Sequence, residues 1–401
     1  MAVSQLEAIR QEEESLLFRT YARYPLALDR GKGCRVWDYD GKEYLDLLAG
    51  IAVNGLGHSH PEIAETIAAQ AKKLIHVSNL FYQKEQLDLA RRILATAHFD
   101  KVFFCNSGAE ANEAAIKLAR RYQQRVKNTQ AFEVITFDHC FHGRTLATVA
   151  ATGQQRFQDG FGPMPEGFLQ IEFGDPALLE RSITAKTAAV LIEVLQGEGG
   201  VRPVTREFVI AVQDICRKNG VLLMVDEVQC GMGRTGKWWG FQHFSIQPDV
   251  LTTAKSLANG LPMGAMMATD EIAKAFVTGS HATTFGAGAL VSSAAAKVFE
   301  IIERDNLLAH AASLGEWAKK RFLAIGEKLP GTIREVRGIG LMIGIDLAFP
   351  GKEVWNALID RGFILNLTQD TVLRLLPPLI VTQEELETFA RALEDILAAR
   401  K

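Results

Sequence analysis

The chain has 401 residues, 48% hydrophobic and 23% charged, with 44 Lys and Arg against 47 Asp and Glu for a net charge of -3. That length exceeds one ordinary hydrophobic core, so two closely associated domains are expected. A nearly neutral chain offers no broad attraction to nucleic acid or to an anionic membrane, and no apolar stretch is long enough to span a bilayer, so small-molecule chemistry is the class that remains.

Met1 to Gln11 mix acidic and apolar residues and lack the basic-then-apolar order of a signal or transit peptide. Residues 34–56 carry aromatic and apolar residues around Asp40-Gly41, a hairpin-type turn signal. Pro61 reads as a first helical position, with Ile63, Ile67, Ala71, Leu74 and Ile75 recurring on one helical face. From there short apolar runs alternate with stretches of helical period, the pattern of a sheet covered by helices. Val102 to Cys105, Glu133 to Phe137, Ala188 to Ile192, Val221 to Val225 and Met263 to Ala268 suit buried strands. Between Arg206 and Lys218, Phe208, Val209, Val212 and Ile215 have helical spacing, and Gly220 stands where a C-cap would. Residues 290–401 mix helices with strands such as Leu341 to Leu347.

The expected class is therefore α/β: a large, mostly parallel sheet with helices on both faces, plus a small α+β domain. The divisions expected are 1–55 as an N-terminal part of the small domain, 56–289 as the large domain, and 290–401 as the rest of the small one. Five scattered cysteines, Cys34, Cys105, Cys140, Cys216 and Cys230, form no CxxC pair and fit a reducing cytoplasm, with Cys105 and Cys216 read as buried thiols.

The run Val221-Leu-Leu-Met-Val225 delivers Asp226 to the sheet's C-terminal edge, where ligands of open α/β sheets bind. Val250-Leu-Thr-Thr-Ala-Lys255 repeats that geometry with a lysine. An acid and an amine at neighbouring strand ends suit pyridoxal phosphate (PLP), because the amine can bond the aldehyde while the acid keeps the pyridine nitrogen protonated. A lone lysine after a strand is ordinarily solvated, so context decides. Asn106-Ser-Gly-Ala-Glu110, between a strand and a strongly helical run to Arg125, supplies it: a helix N-terminus with a small-residue turn can hold a phosphate, and Ser107 adds a hydroxyl. Taken alone it is also an ordinary N-cap.

In Asp138-His-Cys-Phe-His-Gly-Arg-Thr145, Phe141 could stack on a ring and Arg144 could grip a carboxylate. His139 with His142, and His58 with His60, lack the further ligands that a metal needs, so no metal is expected. Gly231-Met-Gly-Arg-Thr-Gly236 matches a dinucleotide fingerprint, but Lys237-Trp-Trp-Gly240 follows it instead of an amphipathic helix, which leaves an NAD-dependent dehydrogenase as a distant alternative.

Together with Tyr24-Pro-Leu-Ala-Leu28, Gly55-Leu-Gly-His-Ser-His-Pro61, Asp226-Glu-Val-Gln229 and Leu373-Arg-Leu-Leu-Pro-Pro378, these motifs resemble the class III (ornithine/GABA) aminotransferases of PLP fold type I, and among them the acetylornithine branch. The resemblance runs over nearly the whole chain. It implies that Lys255 bonds PLP, Asp226 partners the pyridine nitrogen, Gln229 contacts the ring hydroxyl, Ser107 and Gly108 hold the phosphate, and Phe141 stacks on the ring. It implies further that Arg144 holds the donor's α-carboxylate and that Thr283 lies near the donor. Thr284 would reach the phosphate of a second subunit, which implies a homodimer with shared active sites. Arg374 would grip the α-carboxylate of 2-oxoglutarate and pair with Glu198 when an ω-amino donor is bound.

The activity implied is transfer of the δ-amino group of N-acetylornithine to 2-oxoglutarate, in arginine biosynthesis. Relatives with nearly the same motifs handle succinyl-diaminopimelate, succinylornithine, ornithine or 4-aminobutyrate. Two places depart from the family's pattern: Val194 replaces a proline, and Ala287-Gly-Ala289 replaces Gly-Asn-Pro. Ile51 stands where ornithine aminotransferases tend to carry a tyrosine for the free α-amino group, which favours an acylated donor.

Overall fold

The computed structural model describes residues 5–400; residues 1–4 and 401, the outer ends of the first and last expected segments, lie outside the described residues. At its centre is a seven-stranded sheet of, in spatial order, Lys101–Cys105, Gly264–Ala268, Val250–Thr253, Leu222–Asp226, Thr187–Ile192, Glu133–Phe137 and Phe168–Ile171. Gly264–Ala268 runs antiparallel to both neighbours, and the remaining pairings are parallel.

Successive side chains of a strand point to opposite faces, and the core divides accordingly. Leu222 and Met224 join Ala114, Leu118 and Tyr122 of the helix Gly108–Arg125 in one cluster, whereas Leu223 and Val225 join Phe208, Val209 and Val212 of the helix Arg206–Asn219 in the other. The continuous apolar run Leu222 to Val225 is thus the signature of a strand covered twice. Gly220 caps the helix Arg206–Asn219 with φ 66°, a left-handed turn that glycine takes without a Cβ clash.

Two small sheets flank this core. Leu28–Lys32, Arg35–Asp38 and Glu43–Asp46 form an antiparallel meander whose last strand pairs in parallel with Phe363–Ile364, so that both ends of the chain share one sheet. Ile333–Ile339, Met342–Leu347, Val372–Leu375 and Asn366–Thr368 form a second, antiparallel sheet, packed beneath the helix Leu307–Lys328. No helix among the described residues is long and apolar enough to cross a membrane. All five cysteines are buried and unpaired.

One expectation is corrected. The helix Pro61–Lys73 ends before Leu74, whose backbone is extended, and Leu74 and Ile75 are 37% and 57% exposed. The apolar period continues past the residues that are helical, because the chain turns extended at Leu74, whose carbonyl accepts from Gln70 Nε2 at 2.8 Å.

Candidate active site

The strand Leu222–Asp226 ends on the carboxylate of Asp226 at the carboxyl edge of the sheet. The neighbouring strand stops at Thr253, two residues before Lys255, which opens a short 3-10 turn with φ 49°. Across the edge, Ser107 caps the 18-residue helix Gly108–Arg125, its oxygen accepting a bond from the Glu110 amide at 3.2 Å. The Ser107 hydroxyl hydrogen stays available to an anion at that helix N-terminus. Ser107, Gly108, Phe141, Arg144, Glu198, Asp226, Gln229 and Lys255 all line one cavity of about 390 Å³.

Asp226 is held from three sides. Oδ1 accepts from the Val228 amide at 2.9 Å, and Oδ2 accepts from Asn112 Nδ2 at 2.7 Å and lies 2.8 Å from His142 Nδ1. Asn112 is fixed in turn by Thr252, whose hydroxyl donates to Asn112 Oδ1 at 2.7 Å. Burial alone pushes His142 toward neutrality, but Cys140 and Asp226 beside it outweigh that and raise its pKa well above the ordinary value. For Lys255, burial lowers the ammonium pKa and Arg374 adds to the effect, against the opposing pull of Glu198, Asp226 and Glu193. More of Nζ is therefore a neutral amine than on a surface lysine.

Behind the lining residues Glu198 and Gln229, Arg374 Nη1 donates to Glu198 Oε1 at 2.6 Å and to Gln229 Oε1 at 3.2 Å. Burial would raise the pKa of Glu198, yet the Arg374 charge and hydrogen bond hold it below the usual range. Arg144 is exposed, its guanidinium 4.1 Å from the centroid of Phe157 and 5.6 Å from that of Phe141. Thr283 and Thr284 sit elsewhere. They line a separate cavity of about 700 Å³ with Ser78, Phe103 and His281, although Thr283 Oγ1 accepts from Asn106 Nδ2, in the turn before the Gly108–Arg125 helix, at 3.2 Å.

The residues present fit PLP. A Cβ on Gly108 would stand 2.7 Å from Val228 Cγ1, so the missing side chain lets Val228 close in on the cavity. Phe141 and Val228 both line it, giving apolar walls for a ring, with an acid, an amine and a helix N-terminus at its rim.

Sequence reasoning missed His142 as Asp226's partner, having weighed it only as a metal ligand, and missed Asn112 and Glu193. Glu193 accepts from the Phe141 amide at 3.0 Å, and burial pushes its carboxyl up to about 7. Asn112 and Glu193 are one residue each in longer motifs, with no local signal that they turn inward. At the position marked by Ile51, the cavity wall is Val53 instead; Ile51 is 40% exposed in a left-handed turn. Gly231 to Gly236 lie in turns before the 3-10 helix Gly240–His243, outside any strand-to-helix junction.

Residues 18–397 match the class-III aminotransferase family. The chain belongs to that family. As a class-III aminotransferase it is 45% identical over 389 residues to the acetylornithine aminotransferase of Methanocaldococcus jannaschii, covering 97% of this chain and 98% of that one. It is 46% identical to the acetylornithine aminotransferase of a Nostoc species over 96% of this chain and 92% of the other. Among solved structures, the acetylornithine aminotransferase of Elizabethkingia anophelis superimposes with a TM-score of 0.90 at 34% identity, covering 99% and 100% of the two chains. The ornithine aminotransferase of Toxoplasma gondii superimposes with 0.93 at 30% identity, covering 99% of each. The fold is that of a PLP type I aminotransferase, and the dehydrogenase alternative falls with it.

Proposed function

We propose that this aminotransferase uses PLP to move the δ-amino group of N-acetylornithine to 2-oxoglutarate, giving N-acetylglutamate 5-semialdehyde and glutamate in arginine biosynthesis. The observation that carries the reading is the meeting of Lys255, Asp226 and Glu198 around one cavity, with Arg374 bonded to Glu198 behind it. Similarity to relatives named acetylornithine aminotransferase supports the donor.

In this reading Ser107 and the first amides of the helix Gly108–Arg125 would hold the phosphate, Gln229 would meet the ring hydroxyl, and Phe141 and Val228 would supply apolar walls for the ring. Asp226, immobilised by Val228, Asn112 and His142, holds the proton at the pyridine nitrogen. Bound there, PLP would supply an aldehyde carbon for the amine to bond and an electron-withdrawing ring that acidifies the carbon bearing that amine. Lys255 Nζ, its pKa lowered by burial, takes the proton from the donor's δ-carbon as general base. Arg144 grips the donor's α-carboxylate while Glu198 keeps Arg374 neutralised. When the dicarboxylate acceptor enters, Glu198 withdraws and Arg374 takes the α-carboxylate in its place.

Thr284, exposed beside a second cavity, serves the phosphate of a partner subunit in a homodimer. The five unpaired cysteines support a cytoplasmic setting. The test is a visible spectrum and turnover of wild type beside Lys255→Ala, with rates on N-acetylornithine, succinylornithine, succinyl-diaminopimelate, ornithine and 4-aminobutyrate. The wild type is expected to be yellow and to prefer N-acetylornithine. Full turnover by Lys255→Ala would overturn the mechanism, and a preference for free ornithine would overturn the donor.

A further inference from the structure

Arg374 is 1% exposed, and a buried guanidinium has five N–H hydrogens to place. Nη1 spends both of its hydrogens toward the cavity, on Glu198 and Gln229. Nη2 donates at 2.8 Å to Asn366 Oδ1, while its second hydrogen and the Nε hydrogen have no acceptor among the described residues. Asn366 stands directly opposite Arg374 on the neighbouring antiparallel strand, so sheet register fixes this contact, where a mobile loop would not.

Which end of the Asn366 amide faces the arginine follows from hydrogen counting. Tyr24 donates its one hydroxyl hydrogen to the Leu365 carbonyl at 3.1 Å, so its oxygen can only accept. The amide atom 3.3 Å from that oxygen must be the Nδ2 donor, which leaves Oδ1 for Arg374. Tyr24 is itself held: its ring meets Trp355 edge-on at 4.7 Å and 80°, and Trp355 Nε1 donates to the same Leu365 carbonyl at 2.8 Å. Glu198 is held less firmly: Gln229 also meets its carboxylate, but it reaches Arg374 from a turn with 26% of its side chain exposed, and no sheet register fixes it.

We propose that Asn366, oriented by Tyr24, is a positioning residue for the acceptor half of the reaction, holding the guanidinium plane of Arg374 while Glu198 comes and goes. The two partners divide the labour. Glu198 can leave, and its departure frees one Nη1 hydrogen. Asn366 stays, and keeps the second Nη2 hydrogen uncommitted, so that an incoming carboxylate finds two parallel donors instead of one. A neutral amide is required for this, since a carboxylate at position 366 would neutralise Arg374 permanently. The inference rests on the reading of Arg374 as the acceptor grip.

The experiment uses the holoenzyme and compares Asn366→Ala, Asn366→Asp, Tyr24→Phe and Arg374→Lys. Glutarate binding is measured by calorimetry, KM for 2-oxoglutarate in steady state, the donor half-reaction in single turnover, and Tm for each variant. Asn366→Ala is expected to weaken glutarate binding and raise the 2-oxoglutarate KM by roughly five- to tenfold. Asn366→Asp should do so by more than about twentyfold, because its charge cannot withdraw. Tyr24→Phe, which frees the amide to flip from outside the sheet, should cost about two- to fivefold and keeps the test open if an Asn366 variant fails to fold. The donor half-reaction should stay within about twofold in the Asn366 and Tyr24 variants, which a general loss of structure would not allow. Equal losses on donor and acceptor, no loss in either, or an Asn366→Asp variant no worse than Asn366→Ala would overturn the proposal. If Arg374→Lys leaves glutarate binding unchanged, the assignment of Arg374 itself fails; if Arg374→Lys weakens it and the other variants do not, only the role of Asn366 fails.

Discussion

Replacing Gly108 with alanine should weaken cofactor binding through a single steric contact. The glycine φ lies outside the left-handed region, so the backbone accepts alanine and only the new Cβ matters. It would stand 2.7 Å from Val228 Cγ1 and 2.9 Å from Cγ2, while the Val228 Cβ, at 3.4 Å, is in ordinary contact. Carbon atoms prefer 3.5–4.0 Å, so the methyls must retreat by about 0.6–1.3 Å. Rotating χ1 does not help, because two of its three staggered positions point at residue 108 and two methyls always fill at least one of them. The valine must shift bodily on the wall of the cofactor cavity, and overpacking of this kind costs about 1–3 kcal/mol. Taken wholly from binding, that is a loss of about 5- to 150-fold in affinity. Titration of apoenzyme with PLP, followed by the visible band, measures it. The double variant Gly108→Ala/Val228→Ala removes the obstructing methyls and should bind more tightly than Gly108→Ala alone. An affinity within twofold of wild type for the single variant, or a double variant weaker than the single, would refute the steric argument.

Stability should fall as pH rises through neutrality. Burial pushes the Glu227 carboxyl up to about 7, against opposing bonds from Cys230 and the Gly240 and Phe241 amides. A raised folded-state pKa favours the protonated form in the native state, so its stabilisation is complete below about pH 4 and lost as pH climbs through 7. Glu227→Gln should therefore flatten the pH dependence of urea denaturation between pH 5 and 8 by up to about 3 kcal/mol; an unchanged slope would refute it. Asp46→Ala should lower unfolding free energy by about 2–4 kcal/mol in the same assay, because Asp46 accepts from the Leu48 and Ala49 amides, both at 2.8 Å, and meets His58 Nε2 at 2.7 Å. Those bonds hold Ala49, Gly50, Ile51 and Ala52 at φ 50–65°, a left-handed run that costs about 1–2 kcal/mol at each non-glycine residue, and a loss under 1 kcal/mol would show that the turn is held some other way.

What the sequence disclosed is whatever depends on near neighbours. The apolar run ending at Asp226 announces a strand covered on both faces, and Ser107 before a helical period announces a cap, because both signals are local. The direction of Gly264–Ala268 was illegible, since a short buried strand reads alike in parallel and antiparallel settings. His142 and Asn112 were hidden for a different reason: each meets Asp226 only after distant segments pack, 84 and 114 residues apart in the chain. The left-handed run at 49–52 carries one glycine among apolar residues, and no propensity rule anticipates Ile51 there. Asn366 was overlooked because its meaning lies in strand register, and register across a turn is not a compositional property.

The central sheet is encoded between Lys101 and Ala268, and every residue lining the cofactor cavity precedes Gly264. Arg374, Asn366 and the strand that carries Phe363 come a hundred residues later, and they include the pieces that close the N-terminal meander. During synthesis the chain therefore acquires the residues for cofactor chemistry well before it acquires the means to select its acceptor. The last strand off the ribosome, Val372–Leu375, carries Arg374, the guanidinium proposed to take the acceptor.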